Sequence, residues 1–68
     1  MKKTLRVTGL DCAHCAMEFE NIIKNSKGIE DARINFILEK MIVTSDSEKA
    51  IEDAIKKAKK SFPDAEVE

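Results

Sequence analysis

The sequence predicts an α+β domain with elements in the order βαββαβ, and three observations carry that prediction. Short stretches alternate apolar with polar residues. Two longer stretches repeat apolar residues at helical spacing. The only two glycines and the single proline fall at junctions between such stretches. Sixty-eight residues allow one domain, spanning 1–68, with a small core.

Leu5 and Val7 alternate with Thr4, Arg6 and Thr8, which reads as a half-buried first strand ended by Gly9. From about Ala13 the period changes. Ala16, Phe19, Ile22 and Ile23 share one helical face, and Asn25-Ser26-Lys27-Gly28 stops the helix, with Gly28 as the left-handed residue beyond its end. Ala32, Ile34 and Phe36 give the inner face of a second strand. A turn near Glu39-Lys40 leads to a third strand with Met41 and Val43 inward and Ile42 more exposed. Ser45-Asp46-Ser47-Glu48 matches a capping box with Ser45 as the cap. The second helix it opens carries Ile51, Ala54, Ile55 and Ala58 on one face, with Glu52–Lys56 and Asp53–Lys57 as favourable i,i+4 pairs. Pro63 ends it, and Ala65-Glu66-Val67 forms a short last strand. Both helical stripes are buried if the four strands form one antiparallel sheet with both helices on one face, the ferredoxin-like sandwich.

Twelve Lys and Arg against thirteen Asp and Glu leave a net charge of −1. Nucleic acid is not an expected partner, because a clustered basic excess is missing and three Phe with no Trp or Tyr offer no stacking platform. No apolar run approaches membrane-spanning length and no signal-peptide core follows Met1, so a cytoplasmic location is expected; the chain is also expected to be a monomer. Reducing conditions there leave a close cysteine pair free to bind metal or do redox work.

The chemistry is concentrated in Gly9-Leu10-Asp11-Cys12-Ala13-His14-Cys15, which holds both cysteines, the only histidine and a carboxylate. Thiolates suit Cu(I), Zn(II), Cd(II), Pb(II) and Hg(II), and two of them separated by two residues at a strand-to-helix junction can close on one ion. With Cys15 in the first helical turn, the helix dipole is expected to lower its thiol pKa. Two thiolates satisfy a linear Cu(I) ion, whereas Zn(II) prefers four ligands, so Asp11 as a third donor tilts the site toward Zn(II), Cd(II) or Pb(II). Asp11 reads alternatively as a helix cap or a solvated charge. His14, between the thiols, is expected to face solvent or tune the site, with a ligand role on a metal held by another molecule as the minor reading. Met41 reads as core and Met17 as packing at the edge of the apolar face, so neither is a ligand candidate. Lys56, Lys57, Lys59 and Lys60 read as a solvated face suited to the helix C-terminus, with docking of an acidic partner as the minor reading. Phe62 reads as core or as a lid over the cysteine loop.

These residues resemble a known family, the heavy-metal-associated domain found in metallochaperones and in the cytosolic N-termini of metal-transporting P-type ATPases. The family's GMxCxxC pattern is similar to Gly9-Leu10-Asp11-Cys12-Ala13-His14-Cys15, with Leu10 in place of the usual Met, and the βαββαβ order extends the resemblance over essentially the whole chain. It implies Cys12 and Cys15 as ligands of one metal ion and no catalysis by the domain itself. Asp before the first cysteine resembles members attached to zinc, cadmium and lead exporters, as does the ending Phe62-Pro63-Asp64-Ala65-Glu66-Val67. Lys60-Ser61-Phe62-Pro63 stands where the family usually has Gly-Tyr or Gly-Phe. The expected partners are the membrane or soluble domains of a metal-transporting ATPase, or another metal-binding domain. A stand-alone Cu(I) chaperone of the same fold is the alternative, and a thiol–disulfide oxidoreductase is a remote one.

Overall fold

A computed structural model describes residues 1–68. The elements are β1 (Lys2–Thr8), α1 (Ala13–Lys24), β2 (Ile29–Asn35), β3 (Lys40–Ser45), α2 (Glu48–Ser61) and β4 (Glu66–Val67). They form the expected ferredoxin-like sandwich. The sheet is antiparallel in the order β2-β3-β1-β4, with Leu5 opposite Met41, Ala32 opposite Val43 and Val7 opposite Val67.

Alternation sets the inner face. Leu5, Val7, Ala32, Met41 and Val43 point from the sheet into the core, where they meet Phe19 and Ile23 of α1 and Ile51, Ala54 and Ala58 of α2. The small residues Ala32, Ala54 and Ala58 let the two layers approach, and the larger Phe19, Ile23, Met41 and Ile51 fill the space between them. No helix is long and apolar enough to cross a membrane.

Several local expectations are corrected. Phe36 lies outside β2, in the turn spanning 36–39, and is partly exposed to solvent. Asn35 ends the strand, its side-chain oxygen accepting from Leu38 N–H at 3.0 Å, while Glu39 takes the left-handed conformation with φ 55°. The cap of α2 is Ser47, whose Oγ accepts from Ala50 N–H. Ser45 is instead fully buried: its hydroxyl donates to Gly28 O and accepts from Ser47 N–H at 3.1 Å. Glu48 therefore does not reach back along its own helix. It pairs with Lys3 of β1 at 2.8 Å. Glu52–Lys56 and Asp53–Lys57 form no ion pair within 4.0 Å, since exposed side chains on that face remain in water. Met17, expected at a packing edge, is mostly exposed.

Three further contacts position the site. Glu20 of α1 accepts from Ile34 N–H of the edge strand at 2.8 Å, fixing the first helix against the sheet. Phe62 packs edge-on against Phe19, with ring centroids 5.9 Å apart, so the chain leaving α2 is anchored beneath the loop that enters α1. Gly9, at φ +86°, faces Asp64 so closely that a Cβ there would lie 2.1 Å from the Asp64 carbonyl oxygen.

Candidate metal site

The loop from Gly9 to Cys12 carries the chain from β1 into α1. Cys12 adopts extended backbone angles, φ −150° and ψ 161°, and serves as the N-cap of α1. Its Sγ accepts from Cys15 N–H at 3.2 Å. Cys15 lies in the first turn, and that turn brings its sulfur to 2.9 Å from Cys12 Sγ, within hydrogen-bond range. Both thiols are free, with Cys12 exposed and Cys15 half-buried. A spacing of two residues thus becomes a pair of adjacent sulfurs open to solvent, because the helix start folds one thiol back over the other.

The electrostatics reverse the expectation for the two thiols. Cys12 is held below the ordinary thiol value, first by the hydrogen bond from the Cys15 thiol and then by backbone N–H groups of Cys15 and His14, with desolvation and, less, nearby Asp11 acting the other way. Cys15 is pushed up, chiefly because its thiol serves as donor to Cys12 and also by desolvation and the carboxylates of Glu18 and Asp11. The capping position, where several donors converge on one sulfur, outweighs membership of the first turn. Of the two thiols, Cys12 is therefore the more acidic.

The other candidates are placed differently. Asp11 is exposed and takes part in no ion pair or side-chain hydrogen bond. It borders a crevice with Leu10, Cys15, Phe62 and Asp64. His14 points along the helix, its Nε2 2.8 Å from Glu18 Oε1, an i,i+4 contact whose spacing was readable in the sequence. No group of three or more His, Cys, Asp or Glu side chains converges to hold an ion. The site as it stands is two thiols, with Asp11 alongside and His14 engaged elsewhere. Met41 is fully buried in the core, and Lys56, Lys57, Lys59 and Lys60 are all solvated or at the edge of α2 without ion partners. Sequence reasoning missed Asp64, whose carbonyl backs Gly9. Nothing in a one-dimensional pattern marks that contact.

Residues 4–61 match the model of the heavy-metal-associated domain. The chain belongs to this family. The heavy-metal-associated domain described here is 34% identical over 61 residues to the zinc/cadmium/lead-transporting P-type ATPase of Escherichia coli (strain K12), covering 87% of this chain and 8% of that protein. It is 32% identical over 57 residues to a probable copper-exporting P-type ATPase of Archaeoglobus fulgidus, covering 84% of this chain and 7% of that protein. The chain thus spans under a tenth of the length of these relatives. Among solved structures, the N-terminal domain of PacS from Synechocystis PCC6803 superposes with a TM-score of 0.76 at 25% identity, covering 100% of this chain and 94% of that one. Membership of the family makes this a heavy-metal-binding domain of the kind found in P-type ATPases.

Proposed function

We propose that this domain takes up one soft metal ion through Cys12 and Cys15 and hands it on by ligand exchange within a metal-exporting system, as the cytoplasmic N-terminal domain of a P-type ATPase. The observation that carries the reading is the pair of adjacent, solvent-open sulfurs, 2.9 Å apart at a helix start. Two thiolates leave coordination positions open on a divalent ion. A partner's thiolate can occupy one before the first sulfur departs, so the ion is never bare. The domain itself performs no bond-making chemistry in this scheme. ATP hydrolysis and translocation belong to other parts of such a transporter.

Zn(II), Cd(II) or Pb(II) is the favoured cargo, with Asp11 as a third ligand. Support comes from a carboxylate with no competing partner directly before Cys12, and from the relative that transports these three ions. Asp11 would swing in when the ion arrives, supplying the oxygen donor that a divalent ion accepts and a linear Cu(I) ion does not need. His14, held by Glu18, contributes no ligand in this scheme. Specific observations favour a second reading, Cu(I) carriage: no third donor has converged on the thiols, and one relative is named for copper export. Competition between Zn(II) and Cu(I) under reducing conditions, repeated with Asp11→Ala, separates the two. The divalent reading expects Asp11→Ala to weaken Zn(II) about tenfold or more, by loss of one ligand, and to leave Cu(I) unchanged. Unchanged Zn(II) affinity would leave the copper reading standing.

A further inference from the structure

An edge strand presents outward N–H and C=O groups, which are a template for another strand. This sheet has two such edges, and the chain treats them differently. On one side β4 is only two residues long. The stretch of β1 that it leaves unpaired opens with Lys2 and Lys3, charges that disfavour strand addition. On the other side β2 is seven residues long and has β3 as its only neighbour. Length makes β2 the edge most open to pairing.

Its cover comes from α1, which packs over β2. Glu20 of that helix is half-buried, and its Oε2 accepts from Ile34 N–H at 2.8 Å. One turn further along α1, Lys24 reaches Asp31 at 3.8 Å, and Arg33 holds the same carboxylate at 3.5 Å. A register shift between Ile29 and Asp31 breaks the regular ladder at the start of the strand. The first half of β2 is thus protected by an irregularity and by paired charge. The second half has the Glu20 carboxylate. A carboxylate drawn from water ordinarily has a cation beside it. Glu20 has none within 4.0 Å, and its side chain's hydrogen-bond partner is the Ile34 amide.

We infer that Glu20 is a guard on the β2 edge: by occupying Ile34 N–H it keeps β2 from pairing with β2 of a second copy of this chain. In the blocked arrangement, antiparallel and two-fold, one sheet would run through both molecules and Ile34 N–H would donate to a carbonyl of the second copy. The carboxylate denies that donor, and an incoming strand would first have to displace it. The guard also bears on the site. Pairing of β2 with β2 would bring the two copies of α1 over adjacent strands, and α1 carries Cys15 in its first turn with Cys12 as its cap. A closed edge keeps the thiol-bearing helices of different copies apart.

Three variants separate the guard from a contact that only adds stability. Glu20→Ala removes the acceptor. Glu20→Asp keeps the charge but falls one methylene short of Ile34. Glu20→Gln removes the charge but keeps a carbonyl oxygen within reach. Sedimentation equilibrium is run on the reduced protein with chelator present, from about 20 μM to 1 mM. The native domain and Glu20→Gln are expected to stay at 7.6 kDa, whereas Glu20→Ala and Glu20→Asp rise toward twice that mass. Isotope-mixed samples of those two variants are expected to show contacts between β2 strands of different molecules. At the lowest concentration, Ile34 amide exchange is expected to be about tenfold faster in Glu20→Ala than in the native domain. Glu20→Ala and Glu20→Asp chains that fold and stay monomeric across the range overturn the inference. So does association through any surface other than β2, or association of Glu20→Gln as strong as that of Glu20→Ala. Should Glu20→Ala fail to fold, Glu20→Asp decides the matter. In the native domain, absence of a scalar coupling between the Ile34 nitrogen and the Glu20 carboxyl carbon also overturns it. None of these readouts involves the metal.

Discussion

The two helices begin with different caps, at opposite ends of the molecule. At the start of α2, Ser47 Oγ accepts from Ala50 N–H, and behind it the buried Ser45 hydroxyl ties Gly28 O to Ser47 N–H. Both serine hydroxyls there are engaged with backbone nitrogen or oxygen partners. At the start of α1, the cap is a sulfur at 3.2 Å from the N–H it accepts, open to water and sharing a hydrogen bond with a second sulfur. A thiol is a weak acceptor for an amide and a strong ligand for a soft ion. One end therefore spends its side chains on stability, and the other keeps them available for exchange.

The largest expected effect comes from the seat of the exposed loop. Gly9→Ala combines a positive φ with a Cβ that would overlap the Asp64 carbonyl, and is expected to cost about 3 kcal/mol or more in unfolding free energy measured by urea titration. It would show that the thiol-bearing loop rests on a tightly fitted base despite its open tip. Next, Ser45→Ala leaves Gly28 O and Ser47 N–H without their buried partner and is expected to cost about 2 kcal/mol. Removing the cap alone, Ser47→Ala, is expected to cost about 1 kcal/mol. Cys12→Ser reverses the sign: a hydroxyl caps better than a sulfur, so thermal unfolding is expected to gain a few tenths of a kcal/mol while metal binding is lost. If Cys12→Ser instead destabilised the domain as much as Ser47→Ala, the contrast between the two ends would fail.

The smallest effect belongs to the Lys3–Glu48 pair, which joins β1 to the start of α2 at the surface. The Lys3 hydrogen bond and charge hold the Glu48 carboxyl below its usual range, and Glu48 in turn raises Lys3. The depressed carboxyl contributes stability that is present above its unfolded-state pKa and lost as pH falls through the folded value. The raised lysine contributes stability that is present below its unfolded-state pKa and lost as pH rises through the folded value. Glu48→Gln is expected to flatten the acid limb of a stability–pH curve slightly, by less than the Ser47→Ala effect.

Periodicity made most of the fold legible. Alternation placed Leu5, Val7, Met41 and Val43, and the 3.6-residue spacing placed Phe19, Ile23, Ile51 and Ala58, because burial on one face is a local pattern repeated along the chain. Caps and turns were less legible. Ser45 and Ser47 both suit a helix start, and which one caps depends on Gly28, seventeen residues away from Ser45. Phe36 continues the alternation of β2 by residue type, yet Asn35 turns the chain first. At the site, the spacing of Cys12 and Cys15 gave their proximity. The order of their acidities was not readable from the spacing, since it follows from the direction in which neighbouring donors point.

The central claim is that the adjacent sulfurs of Cys12 and Cys15 form one soft-metal site. Cadmium titration of the reduced domain, followed by ultraviolet absorption, tests it most directly. The account expects a thiolate-to-metal band that saturates at one equivalent and disappears in both Cys12→Ser and Cys15→Ser, with each variant still folded. Absence of the band in the native domain, or its persistence when either sulfur is removed, would contradict the account.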